Sequence, residues 1–266
     1  MKNTNILSVD NLSMSYGEGS DENQILRNLS LDVKAGEFVS IVGPSGVGKT
    51  TLLRCLSGLI TPKAGAVRID GSKLTGPHPD IGVVFQDYSR SLLPWMTSAD
   101  NVAFPLQGRG ISKAERFQKA EESLAEVGLA GQGHKYPWEM SGGMQQRVAI
   151  ARGLSYNARV ILMDEPFASV DAQTRFDLED LVLKLRNAHD TTILLVTHDI
   201  DEALYLADRV VVIAEKPATV VDVIETGFGP ERDQVETKAH PFFSEARARI
   251  LNRLRQVPEA APKVSS

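Results

Sequence analysis

Eight residues, Gly43–Thr50 (GPSGVGKT), constrain the fold of this 266-residue chain more than any other stretch. An apolar run precedes them (Phe38, Val39, Ile41, Val42) and a run at helical spacing follows (Leu52, Leu53, Leu56, Leu59). Strand, glycine-rich loop and helix N-terminus in that order make an anion cradle. Gly43, Gly46 and Gly48 let the backbone curl around an oxyanion without Cβ interference. Backbone from Pro44, Ser45 and Val47 through Thr51 lines the cradle, and the helix dipole adds to it. Lys49 can reach the β- and γ-phosphates of a nucleotide, and the Thr50 hydroxyl can ligate Mg²⁺.

The chain is long enough to bury a full core, as one large domain or as one domain with a subdomain. Its net charge is −5, which argues against general attraction to nucleic acid or an anionic bilayer. One cysteine, Cys55, excludes an intrachain disulfide framework and suits a reducing compartment. It lies on the apolar side of the helix after the loop, so burial is expected. No stretch approaches the ~20 apolar residues of a membrane span. The N-terminal residues MKNTNILSVD lack the apolar segment of a secretory signal. Any membrane role is therefore expected to come through a partner.

Strands are expected at Ile6–Tyr16, at Ile25–Val33, at Glu37–Val42 before the loop, and at Ala66–Ile69. The helix after the loop is expected to reach Leu59. Ile81–Phe85 is a further core strand. The pattern then changes: Ser98–Leu106, Ser112–Val127 and Ser141–Leu154 read as helices, and Ser112 with Glu115 has capping-box spacing. Residues from about 87 to 155 are thus expected to form a helical subdomain inserted in an α/β core that spans 1–256. Strand signals return at Val160–Met163, Thr192–Val196, Arg209–Ile213 and Thr219–Ile224. Thr174–Arg186, Asp199–Ala207 and Phe242–Leu254 read as helices between and after them. Alternation of this kind calls for a sheet covered on both faces. Residues 257–266 are expected to be a frayed tail.

A second strong signal is Ile161–Leu162–Met163–Asp164–Glu165, an apolar strand ending in two acids on the side where such sheets bind ligands. Asp164 suits the hydration shell of Mg²⁺, and Glu165 suits activation of water beside a γ-phosphate. A plain acidic turn is the other reading. Gln86 follows its strand and could contact the metal or the water. Ser141–Gly142–Gly143–Met144–Gln145 opens a helix with a hydroxyl cap and free N–H groups, either a second anion site or a simple N-cap. His198 ends a strand, where it could donate to a phosphate or face solvent. Tyr16 could stack on a base or be a half-buried strand tyrosine. Trp95, in LLPWMT, is a local packing residue or an aromatic anchor for a protein partner. Asp171 begins a helix and suits an N-cap.

In this order the elements resemble the ATP-binding subunit of ATP-binding-cassette transporters, over nearly all of Leu7–Ile213. The resemblance implies an α/β P-loop NTPase core with an antiparallel β subdomain and an inserted helical subdomain. It also implies hydrolysis of Mg-ATP between two copies arranged head to tail. Glu165, His198 and Gln86 are then the catalytic set, and Thr50, Gln86 and Asp164 the metal set. Tyr16 would stack on adenine, and Ser141, Gly142, Gly143 and Gln145 would close over the nucleotide of the other copy. Asp171 would belong to a loop that communicates between the two sites.

Two positions depart from the family pattern: Met140 stands for Leu, and Ser169–Val170–Asp171 for Ala-Leu-Asp. LLPWMTSADNVAFPL and PFASVDAQTR are similar to bacterial importers of nitrate, sulfonate and taurine. Those work at the cytoplasmic face of the inner membrane, with permease subunits and a periplasmic or lipid-anchored solute-binding protein. The region from Gln86 through Trp95 into the insert would receive a coupling helix of the permease. An exporter or lipid-trafficking ATPase shares the chemistry. A soluble cassette ATPase acting on DNA or the ribosome usually shows basic extensions or a second cassette, and neither is present.

Overall fold

The computed structural model describes residues 5–87 and 91–255, so the expected tail and residues 88–90 of the expected docking region lie outside it. The chain divides into two compact units, Met1–Pro77 with Leu195–Ser266, and His78–Leu194.

In the first unit, β1 (Asn5–Tyr16) pairs antiparallel with β2 (Asn23–Lys34) on one side and β4 (Ala64–Ile69) on the other. Val9 lies opposite both Leu31 and Val67. Leu29, Leu31 and Val33 alternate with exposed Ser30, Asp32 and Lys34, the period-two pattern of a half-buried sheet. A short β5 (Ser72–Lys73) completes the order β2-β1-β4-β5. Two residues are too few to show alternation, so β5 escapes a sequence reading. The turn before it does not: Asp70 and Gly71 both have positive φ, 48° and 76°, as a two-residue hairpin turn requires.

The second sheet of this unit contains β3 (Phe38–Val42), every residue of it buried. It runs parallel to β9 (Arg209–Ala214), with Ile41 opposite Val211. β10 (Thr219–Glu225) pairs antiparallel with β9 as the sheet edge. A parallel strand covered on both faces has no polar face, which explains the near-continuous apolar run before the loop, interrupted only by buried Ser40.

The following helix, α1 (Lys49–Leu56), stops three residues short of the expected Leu59. Gly58 takes φ +74° there, and a Cβ on it would sit 2.2 Å from the Gly76 carbonyl oxygen. Leu59 is consequently exposed. Cys55 is buried, and burial pushes its thiol up to about 11.

Among the described residues three further α-helices belong to the unit: α6 (Ile200–Leu206), α7 (Gln234–Ala239) and α8 (Pro241–Arg255). No residue of α7 is buried, so it carries no apolar period by which to find it. α8 buries Phe243, Ala246 and Ile250, a single stripe at helical spacing. Arg232, its side chain 1% exposed, donates to the carbonyls of Tyr205 (2.7 Å) and Ala207 (3.0 Å) and to Asp208 Oδ1 (2.8 Å).

In the second unit, β6 (Ile81–Val84) and β7 (Val160–Asp164) run parallel, with Val84 opposite Met163. The chain passes from this unit to the other within β8 (Thr192–Thr197). Among the described residues this unit also holds helices α2 (Ser98–Ala103), α3 (Lys113–Glu126), α4 (Gly142–Leu154) and α5 (Ala172–His189). Ser112 Oγ accepts from the Glu115 N–H at 3.2 Å, which fixes the start of α3. α5 begins two residues before the expected Thr174 because Asp171 caps it, and Asp190 at φ 49° ends it.

Asn101, fully buried, accepts from the Leu93 N–H (2.8 Å). Its amide donates to the carbonyls of Leu93 (3.1 Å), Met96 (3.2 Å) and Thr97 (3.0 Å). Those bonds satisfy the backbone of an irregular segment and hold Trp95 outward, 68% exposed. Local packing therefore does not account for Trp95.

Candidate active site

Each unit carries its own part of the chemistry. In the first, the loop Gly43–Gly48 leaves the buried end of β3 and enters α1. Gly43 admits no side chain, since a Cβ would lie 2.5 Å from the Ile213 carbonyl oxygen. Gly48 has φ +118° and is the N-cap of α1 with no side-chain cap, so the first helical turn is left to an outside acceptor. Gly46, at φ +73°, has no atom within 4 Å of its virtual Cβ, and Ser45, Gly46 and Thr50 are exposed. Val47 turns its side chain inward, 3% exposed, and bonds through its N–H to Pro44 O (3.3 Å). Lys49 is 6% exposed, and its ammonium donates to the carbonyls of Gly43 (2.9 Å) and Pro44 (3.1 Å). The loop is thus folded around its own cation, with open backbone on its outer rim. That arrangement fits a phosphate chain.

The same unit holds Tyr16, 42% exposed at the end of β1, and exposed His198, just beyond β8. Asp199 fixes the backbone after His198: its N–H donates to Thr197 Oγ1 (3.0 Å), and its carboxylate caps α6 by accepting from the N–H groups of Asp201 and Glu202.

In the second unit, Asp164 closes β7, 6% exposed, and Glu165 follows with φ 43°. Left-handed backbone at a non-glycine residue stores strain, and it redirects the second acid from the strand direction. Gln86 Nε2 donates to Glu165 Oε2 at 3.1 Å, joining two residues 79 positions apart. A carboxamide and two carboxylates are therefore held at the ends of two parallel strands.

Ser141 caps α4 by accepting from the Met144 N–H (3.3 Å). Gln145 is turned back on its own segment, donating to the Met140 carbonyl at 3.2 Å. Gly142 is part-buried. Gly143 presses on α5: a Cβ there would meet Thr174 Cγ2 at 2.6 Å. Thr174 also donates to Asp171, from its N–H (3.0 Å) and its hydroxyl (2.6 Å). Those two bonds hold the Asp171 carboxyl below the usual carboxylate range. Thr174 so joins Gly143 to Asp171. Its sequence signal was only its place three residues after a capping Asp.

In the second unit the Gln86 amide and the Asp164 carboxylate are oxygen donors of the kind that suits Mg²⁺, which binds one or two carboxylates with water and phosphate; in the first unit the exposed Thr50 carries a hydroxyl of the same kind. Among the described residues no group of three or more His, Cys, Asp or Glu could hold a metal by itself. Donors of this kind fit an ion that keeps water and phosphate oxygens in its shell.

The family model for "ABC transporter" matches residues 26–168. The chain belongs to the ABC transporter family. It is 44% identical over 249 residues to an uncharacterized ABC transporter ATP-binding protein of Methanocaldococcus jannaschii, covering 94% of this chain and 91% of that one. It is 42% identical to a taurine import ATP-binding protein of Roseobacter denitrificans, covering 95% of each. Relatives at 39% identity are named for nitrate and for bicarbonate transport.

A solved dimeric ATP-binding cassette in a post-hydrolysis state with ADP and Pi superposes with a TM-score of 0.73 at 36% identity. It covers 84% of this chain and all of that one. The ABC protein described here is accordingly an ABC-type ATPase, with a P-loop core of mixed sheet and a helical subdomain.

Proposed function

We propose that this chain hydrolyses Mg-ATP between two head-to-tail copies and thereby drives import of a small solute, such as nitrate, sulfonate or taurine, through a membrane permease. The observation that carries the reading is the 3.1 Å contact of Gln86 with Glu165 beside Asp164. It supports a carboxylate held in one orientation for proton removal from water, beside a second acid that suits the metal.

The steps assigned to this chain's own residues are these. Backbone N–H groups from Ser45 to Thr51 bind the phosphate oxygens, and Lys49 transfers its donors from the Gly43 and Pro44 carbonyls to the β- and γ-phosphates. Tyr16 stacks on the base. Thr50, Gln86 and Asp164 hold Mg²⁺, which when bound supplies positive charge to the phosphate oxygens. Glu165 accepts a proton from the attacking water, and His198 donates to the γ-phosphate. The second copy contributes Ser141 and Gly143, whose helix start offers free N–H donors.

Partner and solute rest on other features. No described helix is long and apolar enough to cross a membrane, which accords with work at the cytoplasmic face through a permease. A cavity of about 410 Å³, lined by Phe104, Arg109, Arg152 and Tyr156 among others, lies in the unit that exposes Trp95 and supports docking of a permease segment there. The names of relatives (taurine, nitrate, bicarbonate) support a small anionic or zwitterionic solute.

The test is Mg-dependent ATP hydrolysis by the purified protein, alone and with the permease that co-purifies from native membranes. A wild-type chain that binds no Mg-ATP even with its permease would sink the reading. Transport assays with nitrate, taurine and bicarbonate then assign the solute.

A further inference from the structure

Two residues before the buried Met140, a flat aromatic plate stands on the surface. Trp138 is 65% exposed, and one face of its indole lies on Tyr136, with centroids 4.5 Å apart and planes 10° from parallel. The plate is rigidly mounted. Pro137 between the two rings is buried, the Glu139 carboxylate accepts from the Tyr136 N–H (2.8 Å), and the Glu139 N–H returns to the Tyr136 carbonyl (2.9 Å). The Met140 N–H bonds to the Pro137 carbonyl (3.2 Å), and Ser141 then caps α4. A large aromatic held in one orientation loses little entropy when it is covered, and aromatic residues are the usual anchors of interfaces. Local packing accounts for one face of the indole and leaves the other open.

We infer that the open face of Trp138 packs on the nucleotide-bearing face of a second copy of this chain, against the nucleoside side of the bound ATP. This rests on the head-to-tail reading above. Three residues span at most about 10 Å of backbone, so Trp138 cannot lie far from the surface that Ser141 touches. Ser141 is assigned to the γ-phosphate of the other copy. The sugar and base extend from that phosphate by a comparable length, and a planar ring is what an indole face accepts. A relative 36% identical was solved as a dimer with ADP and Pi, so a paired, nucleotide-loaded state exists within the family. Trp138 is a positioning residue in this scheme: it closes the site without touching the reacting atoms.

The chain has two tryptophans, so Trp95→Phe leaves Trp138 as the sole indole. The protein to use is Trp95→Phe with Glu165→Gln, titrated with Mg-ATP and followed by light scattering and by acrylamide quenching of the fluorescence. Expected is a fall of at least threefold in the quenching constant, at the protein concentrations where dimer forms and not with Lys49→Ala added. Trp138→Ala in the Glu165→Gln background should raise the dimer dissociation constant at least tenfold while leaving the thermal melt of the monomer unchanged. A dimer whose Trp138 stays as accessible as in the monomer overturns this inference and leaves the proposed function standing. Absence of an ATP-dependent dimer both in the isolated protein and with the co-purified permease overturns both.

Discussion

Replacing Lys49 by Ala probes the phosphate loop at its center. The buried ammonium donates to two loop carbonyls, at 2.9 and 3.1 Å. Bonds to a charged group contribute about 1.5–3 kcal/mol each. Because the freed carbonyls lie at a partly open loop and regain water, the lower end applies, about 3 kcal/mol for the pair. For a chain of this size that corresponds to a fall in Tm on the order of 6 °C. Binding ATP asks the lysine to exchange neutral carbonyls for ionised phosphate oxygens. Both sets of bonds carry the charge of the ammonium, and the ionised acceptor moves each from the lower toward the upper end of that range, a gain of about 1 kcal/mol per bond, or about 2 kcal/mol in all. That is roughly a 30-fold loss of ATP affinity for Lys49→Ala. Differential scanning fluorimetry measures the first effect and titration calorimetry the second. An affinity within threefold of wild type would show that Lys49 does not bind phosphate. An unchanged Tm would show that the two carbonyl contacts do not hold the loop.

Glu165→Gln should retain ATP binding and lower steady-state hydrolysis by at least about 100-fold, the usual contribution of a general base; a phosphate-release assay showing less than a tenfold fall would remove Glu165 from that role. Arg232→Ala removes a nearly fully buried cation that serves the carbonyls of Tyr205, Ala207, Phe228 and Gly229 together with Asp208. It should cost about 3–5 kcal/mol in urea unfolding, and a cost below 1 kcal/mol would contradict the network. Asp222, its side chain 8% exposed, is held below its ordinary value chiefly by Arg249, with Arg253 adding to it. Its contribution is therefore complete above the unfolded value of about 3.9 and is lost as pH falls through the lower folded value. The difference in Tm between wild type and Asp222→Asn should be constant above about pH 5 and shrink below about pH 4; a difference that persists at pH 2 would exclude this titration.

The sequence by itself determined the elements whose signals are local. The GPSGVGKT loop, the buried run of β3, the Asp70–Gly71 turn and the caps Ser112, Ser141 and Asp199 each depend on residues no more than seven apart, so backbone sterics and short-range hydrogen bonds decide them. Its acid pair could be read because it ends an apolar strand. It did not reveal β5 or α7, which are too short or too exposed to carry a period, or the early end of α1, imposed by the close approach of Gly76 to Gly58. Only the tertiary structure decided which polar groups meet. Gln86 finds Glu165 across 79 residues, Thr174 links Gly143 with Asp171, and Arg232 settles among the carbonyls of Tyr205 and Ala207. Polar side chains have no periodic signature, and their partners are chosen by the packing of apolar elements that bring distant backbone together. Lys49 shows both sources at once: the motif named the residue, and the fold placed its ammonium on two carbonyls that a phosphate must displace.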